Sequence, residues 1–205
     1  MYNVLLAILT SLVARLDFAG LAFLIASNLR VPWIKRIRPT HAQLLILASK
    51  LKHGDLLFGR RDWFLKNLLV PGRYKHVCVW DAERQLVLEF QDSGYEENTL
   101  GRFVTRYTEV AAFGTNFTSE YASKFVAVMR SFHNKLYDKK YSKNTEALYC
   151  SESVHAADVD KILQYEASEI FWFEVFIPDE LTKLPAVKKI FQVNKSNLTQ
   201  VIHLP

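Results

Sequence analysis

From residue 39 onward the apolar positions switch between helical and strand-like spacing, which predicts an α+β domain over residues 39–205. Thr40-His41-Ala42-Gln43 fits a capping box and opens a helix through about Lys52. Gly54-Asp55 punctuates its end, and Leu56-Leu57-Phe58 reads as a short buried strand. Pro71-Gly72 is a turn signal, after which Tyr74 to Trp80 predicts a strand. Asp81 to Arg84 can turn the chain, and Gln85 to Phe90 returns it. Strand-like pieces follow between Tyr95 and Phe113, including Val110 to Phe113. Tyr121, Phe125, Val128, Met129, Phe132 and Leu136 then recur at helical spacing, a stripe that reads as core rather than as a cofactor box. From Ser151 to Leu163 the chain is again helix-compatible, with Val154, Ala157 and Ile162 on one side. Ile170 to Ile177 is dense in aromatic and β-branched residues and predicts a buried strand. Pro178 begins a short helix. Phe191 to Val193 and Leu198 to Leu204 are expected to add edge strands.

Residues 1–38 follow a different pattern. Tyr2 to Ala14 and Phe18 to Leu29 are uncharged and mostly apolar, with Arg15 and Asp17 between them. Neither run alone reaches the ~20 residues that span a bilayer. Joined, they would carry two charges near the middle, which is costly. Leu5, Ile8, Leu9, Leu12, Val13 and Leu16 share one helical face, so an amphipathic or hairpin-like anchor fits better than a simple span. Arg30, Trp33, Lys35, Arg36 and Arg38 follow, a cluster suited to an anionic membrane surface. The alternative is that these helices pack on the domain behind them. No positive residue precedes the first apolar run, which argues against a cleaved leader.

The chemistry concentrates where two predicted elements would meet. With a two-residue turn at Ala82-Glu83, Asp81 pairs with Arg84 and His76 with Glu89, so imidazole and carboxylate project from one face. A one-residue slip would separate them. Cys150 falls in the first turn of the later helix, where unpaired N–H groups and the positive dipole end favour thiolate over thiol. A cysteine nucleophile, a histidine base and an orienting carboxylate form the logic of a cysteine hydrolase, here in reverse order to papain. The backbone N–H of Cys150 or Ser151 is the candidate oxyanion donor. Each residue alone has an ordinary reading: a buried small apolar cysteine, a strand histidine, an edge carboxylate. Glu152 is expected to serve the helix end.

Several spaced blocks in order give these residues a family context. Gly54-Asp55-Leu56-Leu57-Phe58, Pro71-Gly72-Arg73-Tyr74-Lys75-His76-Val77 and Leu88-Glu89 come first. Leu136 to Tyr141, Leu148-Tyr149-Cys150-Ser151-Glu152 and Phe176 to Leu181 follow. Over roughly residues 50 to 190 the chain resembles the circularly permuted branch of the NlpC-type cysteine peptidases, the YiiX/YebB-like hydrolases. The resemblance implies a permuted papain-like (NlpC-like) fold, an antiparallel sheet packed with helices, and assigns Cys150, His76 and Glu89 the three catalytic roles. Tyr74, Tyr149, Ser151 and Glu152 would line or support the substrate pocket. Cys78 departs from the family, which usually has a small residue there. Two residues on from His76 it would share that face of the strand, narrowing the pocket or pairing with Cys150 under oxidation.

Composition narrows the function classes. A chain of 205 residues, half of them apolar, can bury a full core, and it carries no repeat or low-complexity segment. Two cysteines do not make a disulfide scaffold. His41, His53, His133, His155 and His203 are scattered without zinc-ligand spacing, so no metal or cofactor is expected. The net charge of +5 comes with no nucleic-acid motif and is mostly solvated helix faces, so nucleic acid is discounted. The leading expectation is an amidase or peptidase acting through a thioester, on a peptide or a cell-wall fragment. A thioesterase or acyltransferase on lipid-derived acyl groups, and an idle binding module, stand behind it. Residues 1–38 make a membrane or cell-envelope location the first expectation, with a cytoplasmic one as the alternative.

Overall fold

The computed structural model describes residues 37–60, 71–139, 146–170 and 173–197. Almost all of the apolar N-terminal segment, the Arg60–Val70 loop beyond its first residue and the segment from Leu198 to Leu204 lie outside the described residues. Among the described residues no helix is long and apolar enough to cross a membrane.

Helix α1 (His41–Ser49) starts at the capping box read from the sequence. The Gln43 N–H donates to Thr40 Oγ1 at 3.3 Å, and the Thr40 N–H donates to Gln43 Oε1 at 2.8 Å. Strands β1 (Leu56–Arg60), β2 (His76–Asp81), β3 (Leu86–Gln91) and β4 (Gly94–Thr99) follow. A short helix that the sequence pattern did not suggest, α2 (Leu100–Val104), leads into β5 (Glu109–Thr115). Next come α3 (Ser119–Ser131), β6 (Leu136–Tyr137), β7 (Ala147–Leu148) and α4 (Cys150–Ala157). The chain continues through β8 (Ser168–Ile170), β9 (Phe173–Val175), α5 (Pro178–Leu181, with proline in its first turn) and β10 (Val187–Asn194).

The main sheet is antiparallel, in the order β10-β5-β1-β2-β3-β4. Its period-two alternation feeds two cores. Leu56, Phe58, Val77, Val79, Leu88 and Ala111 face Phe125 and Met129 of α3 and Val154 of α4. Leu57, Cys78, Trp80, Val87 and Ala112 face Leu47 of α1 and Leu100, Phe103 and Tyr107 of the α2 region. Each large side chain buried this fully contributes roughly 1.5–3 kcal/mol.

Three local expectations are corrected. The β2–β3 connection holds four residues, not two: Asp81 pairs with Leu86, Trp80 with Val87 and Val79 with Leu88. Asp81 is fully buried, and its Oδ1 accepts the Arg84 N–H at 3.2 Å, which together with Gln85 at φ 56° shapes the wider turn. The shift is two residues, so His76 and Glu89 keep their common face. Ile170 to Ile177 is not one strand: Ile170 ends β8, which pairs antiparallel with β9 (Phe173–Val175), and Phe176 and Ile177 lie beyond β9. The apolar stripes also end early. α3 stops at Ser131, leaving Leu136 68% exposed in β6, and α4 stops at Ala157, leaving Ile162 41% exposed.

Candidate active site

The base half of the site is built on β2 and β3. His76 Nε2 lies 2.9 Å from Glu89 Oε2, which leaves Nδ1 as the ring nitrogen available to another group. The ring is held from one side by Tyr107, stacked at 5.8 Å and 19°, with Phe103 beyond at 6.4 Å. This stacking depends on Gly59, which pairs directly with His76 on β1. A Cβ there would lie 2.4 Å from the Tyr107 ring, so only glycine leaves room for it.

Glu89 has no exposed surface and would be costly as an unpartnered anion. Its Oε1 accepts Asn98 Nδ2 at 2.8 Å and Arg106 Nη1 at 2.6 Å, and its Oε2 accepts Gln91 Nε2 at 2.5 Å. Burial raises its pKa, but the His76 hydrogen bond, the His76 charge and Arg106 together hold it below the usual carboxylate value. Gln91, Asn98 and Arg106 were not found from the sequence. They come from three places along the chain, and only the sheet brings them together.

The candidate nucleophile lies at the start of α4. Tyr149 is the N-cap residue and Cys150 opens the first turn, so the thiol sits at the positive end of the helix. The flanking residues fasten this end to the backbone of one residue. Tyr149 Oη accepts the Phe176 N–H at 2.8 Å, and Ser151 Oγ donates to the Phe176 carbonyl at 2.5 Å. One turn later His155 stacks on the Phe176 ring at 4.2 Å.

The halves meet at the Cys150 thiol. Burial raises its pKa, but the His76 charge, a hydrogen bond with His76 and the Val77 N–H bring it below the ordinary thiol value. Burial likewise lowers His76, and the Cys150 charge, the hydrogen bond to Cys150 and Glu89 lift it to about 9. The two shifts run in opposite directions, and each favours the charged form of its group. Tyr165, also missed from the sequence, is buried close enough that its hydroxyl is pushed up, first by burial and then by the Cys150 charge.

The remaining expected residues are placed as follows. Glu152 reaches back to the Tyr149 N–H at 3.3 Å, the expected helix-end position, and burial raises it to about 7, with the Asp138 charge adding to the effect. Tyr74 is core, packed on Phe58 and Phe113, with its N–H donating to Asp179 Oδ1 at 3.1 Å. Cys78 lies in the opposite core from Cys150, donates to the Leu57 carbonyl at 3.3 Å, and has its thiol pushed well up by burial. That placement fits a packing residue and not a pocket wall.

Residues 50–196 match the family of permuted papain-like amidase enzymes, YaeF/YiiX, the C92 family. This chain belongs to that family. The match carries the permuted papain-like fold and the cysteine hydrolase class, without the narrower NlpC label. Among solved structures, the metalloprotein yiiX from Escherichia coli O157:H7 is similar at 14% identity and a TM-score of 0.59, covering 70% of this chain and 98% of that one. No curated protein matches the chain.

That neighbour's name prompts a test for a metal here. His53, Asp81 and Glu83 place ligand atoms within 4.8 Å of one another. Arg130, however, pairs with both carboxylates, and His53 Nδ1 accepts the Ala82 N–H at 3.2 Å. An arginine already holds the position a cation would take, so these residues do not fit a metal.

Proposed function

We propose that this amidase cleaves a peptide-type amide, with Cys150 as nucleophile, His76 as general base and acid, and Glu89 as its orienting partner. The observation that supports this most is the line running from the start of α4 through His76 to a fully buried carboxylate. The Cys150 thiolate attacks the substrate carbonyl carbon, and the carbonyl oxygen takes up the negative charge. First-turn N–H groups of α4 are the donors placed for that oxyanion. The imidazolium then delivers its proton to the leaving nitrogen, the C–N bond breaks, and a thioester remains on Cys150. Neutral His76 next takes a proton from water as the water attacks the thioester. The acid product leaves, and the proton restores the thiolate–imidazolium pair. Glu89 stabilises the charged ring and fixes which nitrogen faces sulfur. Within peptide-type substrates, cell-wall peptides are the class we favour, from the family relationship.

Two measurements test this. Iodoacetamide should modify Cys150 faster than Cys78 at neutral pH, because one thiol is lowered and the other raised. Mass spectrometry of protein trapped during turnover on cell-wall fragments should find a peptidyl adduct on Cys150. A fatty acyl adduct would favour acyl transfer on lipids. Preferential labelling of Cys78 would overturn the assignment.

A further inference from the structure

Arg106 sits between α2 and β5, where no motif points to it, yet its guanidinium is bound into the site. Nη1 donates to Glu89 Oε1 at 2.6 Å, and Nη2 lies 3.5 Å from Glu96 Oε2. The groups around Glu89 come from every neighbouring element. They are His76 and Cys78 on β2, Gln91 on β3, Asn98 and Glu96 on β4, Arg106, and Cys150 beyond the imidazole. Read outward from the sulfur, the charges alternate: thiolate, imidazolium, carboxylate, guanidinium. Without the last, one positive ring would lie between two buried anions, and Glu89, with no exposed surface and one cation fewer beside it, would take up a proton at higher pH. A neutral Glu89 would no longer favour imidazolium, and the pair at Cys150 would fall back to thiol and neutral imidazole.

We propose that Arg106 is a positioning residue of this site, holding Glu89 ionised and turned toward His76 so that the Cys150 thiolate is kept. This rests on Cys150 being the nucleophile. Arg106 pairs with Glu89 and Glu96, and in this proposal it acts on Cys150 only through Glu89.

The test is the rate of Cys150 alkylation by iodoacetamide against pH, by peptide mass spectrometry on the full chain. Arg106→Gln should move the acidic limb of that profile upward by about one pH unit or more, the size of a lost charge partner beside a carboxylate. Arg106→Lys should restore most of the wild-type profile. In a Glu89→Gln background, Arg106→Gln should add no further movement, since no carboxylate remains to be held ionised. If Arg106→Gln does not fold, Arg106→Lys and the double variant, which pairs two amides, carry the same test. A folded Arg106→Gln with the wild-type profile, or an undiminished further shift in the Glu89→Gln background, overturns the proposal and leaves the assignment of Cys150 standing. Wild-type Cys150 reacting no faster than Cys78 would instead overturn that assignment.

Discussion

Strands β2 and β3 bring two carboxylates to zero exposure, and each has a histidine and an arginine beside it. Near the turn, Asp81 takes Arg130 Nε at 2.8 Å, with His53 Nδ1 3.6 Å away. Toward the other end, Glu89 takes Arg106 at 2.6 Å and His76 at 2.9 Å. The ingredients match, but the surroundings differ. His53 Nδ1 accepts a backbone N–H from Ala82, so its ring braces the connection between the strands. His76 keeps one nitrogen for a thiol at a helix start. A buried acid, base and cation therefore supply stability on their own. In the proposed mechanism they become chemistry only where a nucleophile is delivered to the remaining nitrogen.

The largest contrast comes from removing each histidine. His76→Ala should lower turnover by on the order of 10³-fold or more while the fold persists. His53→Ala should leave turnover within a few-fold and cost about 1–2 kcal/mol of stability, read by thermal unfolding. Comparable losses of turnover in both variants would erase the distinction. The pH dependence belongs to His76 as well. Its folded pKa of about 9 lies above the ordinary histidine value. The stabilisation from its charge is therefore complete below about 6.5 and is lost as pH rises through about 9. Turnover should fall over the same basic limb.

A smaller effect should follow from the strand beside it. Gly59→Ala puts a methyl group into the Tyr107 ring and so displaces the surface on which His76 rests. Turnover should drop about 100-fold from the misplaced base. Overpacking should cost about 1–3 kcal/mol. Unchanged kinetics in this variant would show that the stacked ring does not position His76. Asp81 has no counterpart to that arrangement.

The smallest effect concerns Glu152. Its folded pKa of about 7 is raised, so the stability it contributes is complete below its ordinary value and is lost as pH rises through about 7. Glu152→Gln should flatten the slope of melting temperature against pH in that window. Turnover should change little. A slope that persists would assign it to another group.

How much of this could be read in the sequence depended on range. The cap at Thr40, the position of Cys150 at a helix start and the proline opening α5 are local, and the sequence shows them directly. The His76–Glu89 contact survived a wrong turn length because the error was two residues, and strand faces repeat every two. Arg106, Asn98 and Gln91 carried no local signal, since their role exists only after β3, β4 and the α2 region pack together. Gly59 could have been suspected, because glycine inside a strand marks a close approach, but nothing local named Tyr107 as the visitor. The run from Ile170 to Ile177 misled for the opposite reason. Uniform β propensity does not show where a chain doubles back.

The order of the site along the chain also sets when the protein can become active. His76, Glu89 and Arg106 leave the ribosome well before Cys150, and Cys150 waits for Phe176 to secure both its neighbours. The turn before His76 is gripped later still, when Asp179 takes the Arg73 and Tyr74 N–H groups. A nascent chain that stops short of Phe176 and Asp179 thus lacks the contacts that seat the candidate nucleophile and the turn before His76. The candidate site is therefore complete only once the chain has been made as far as Asp179, a delay written into connectivity alone.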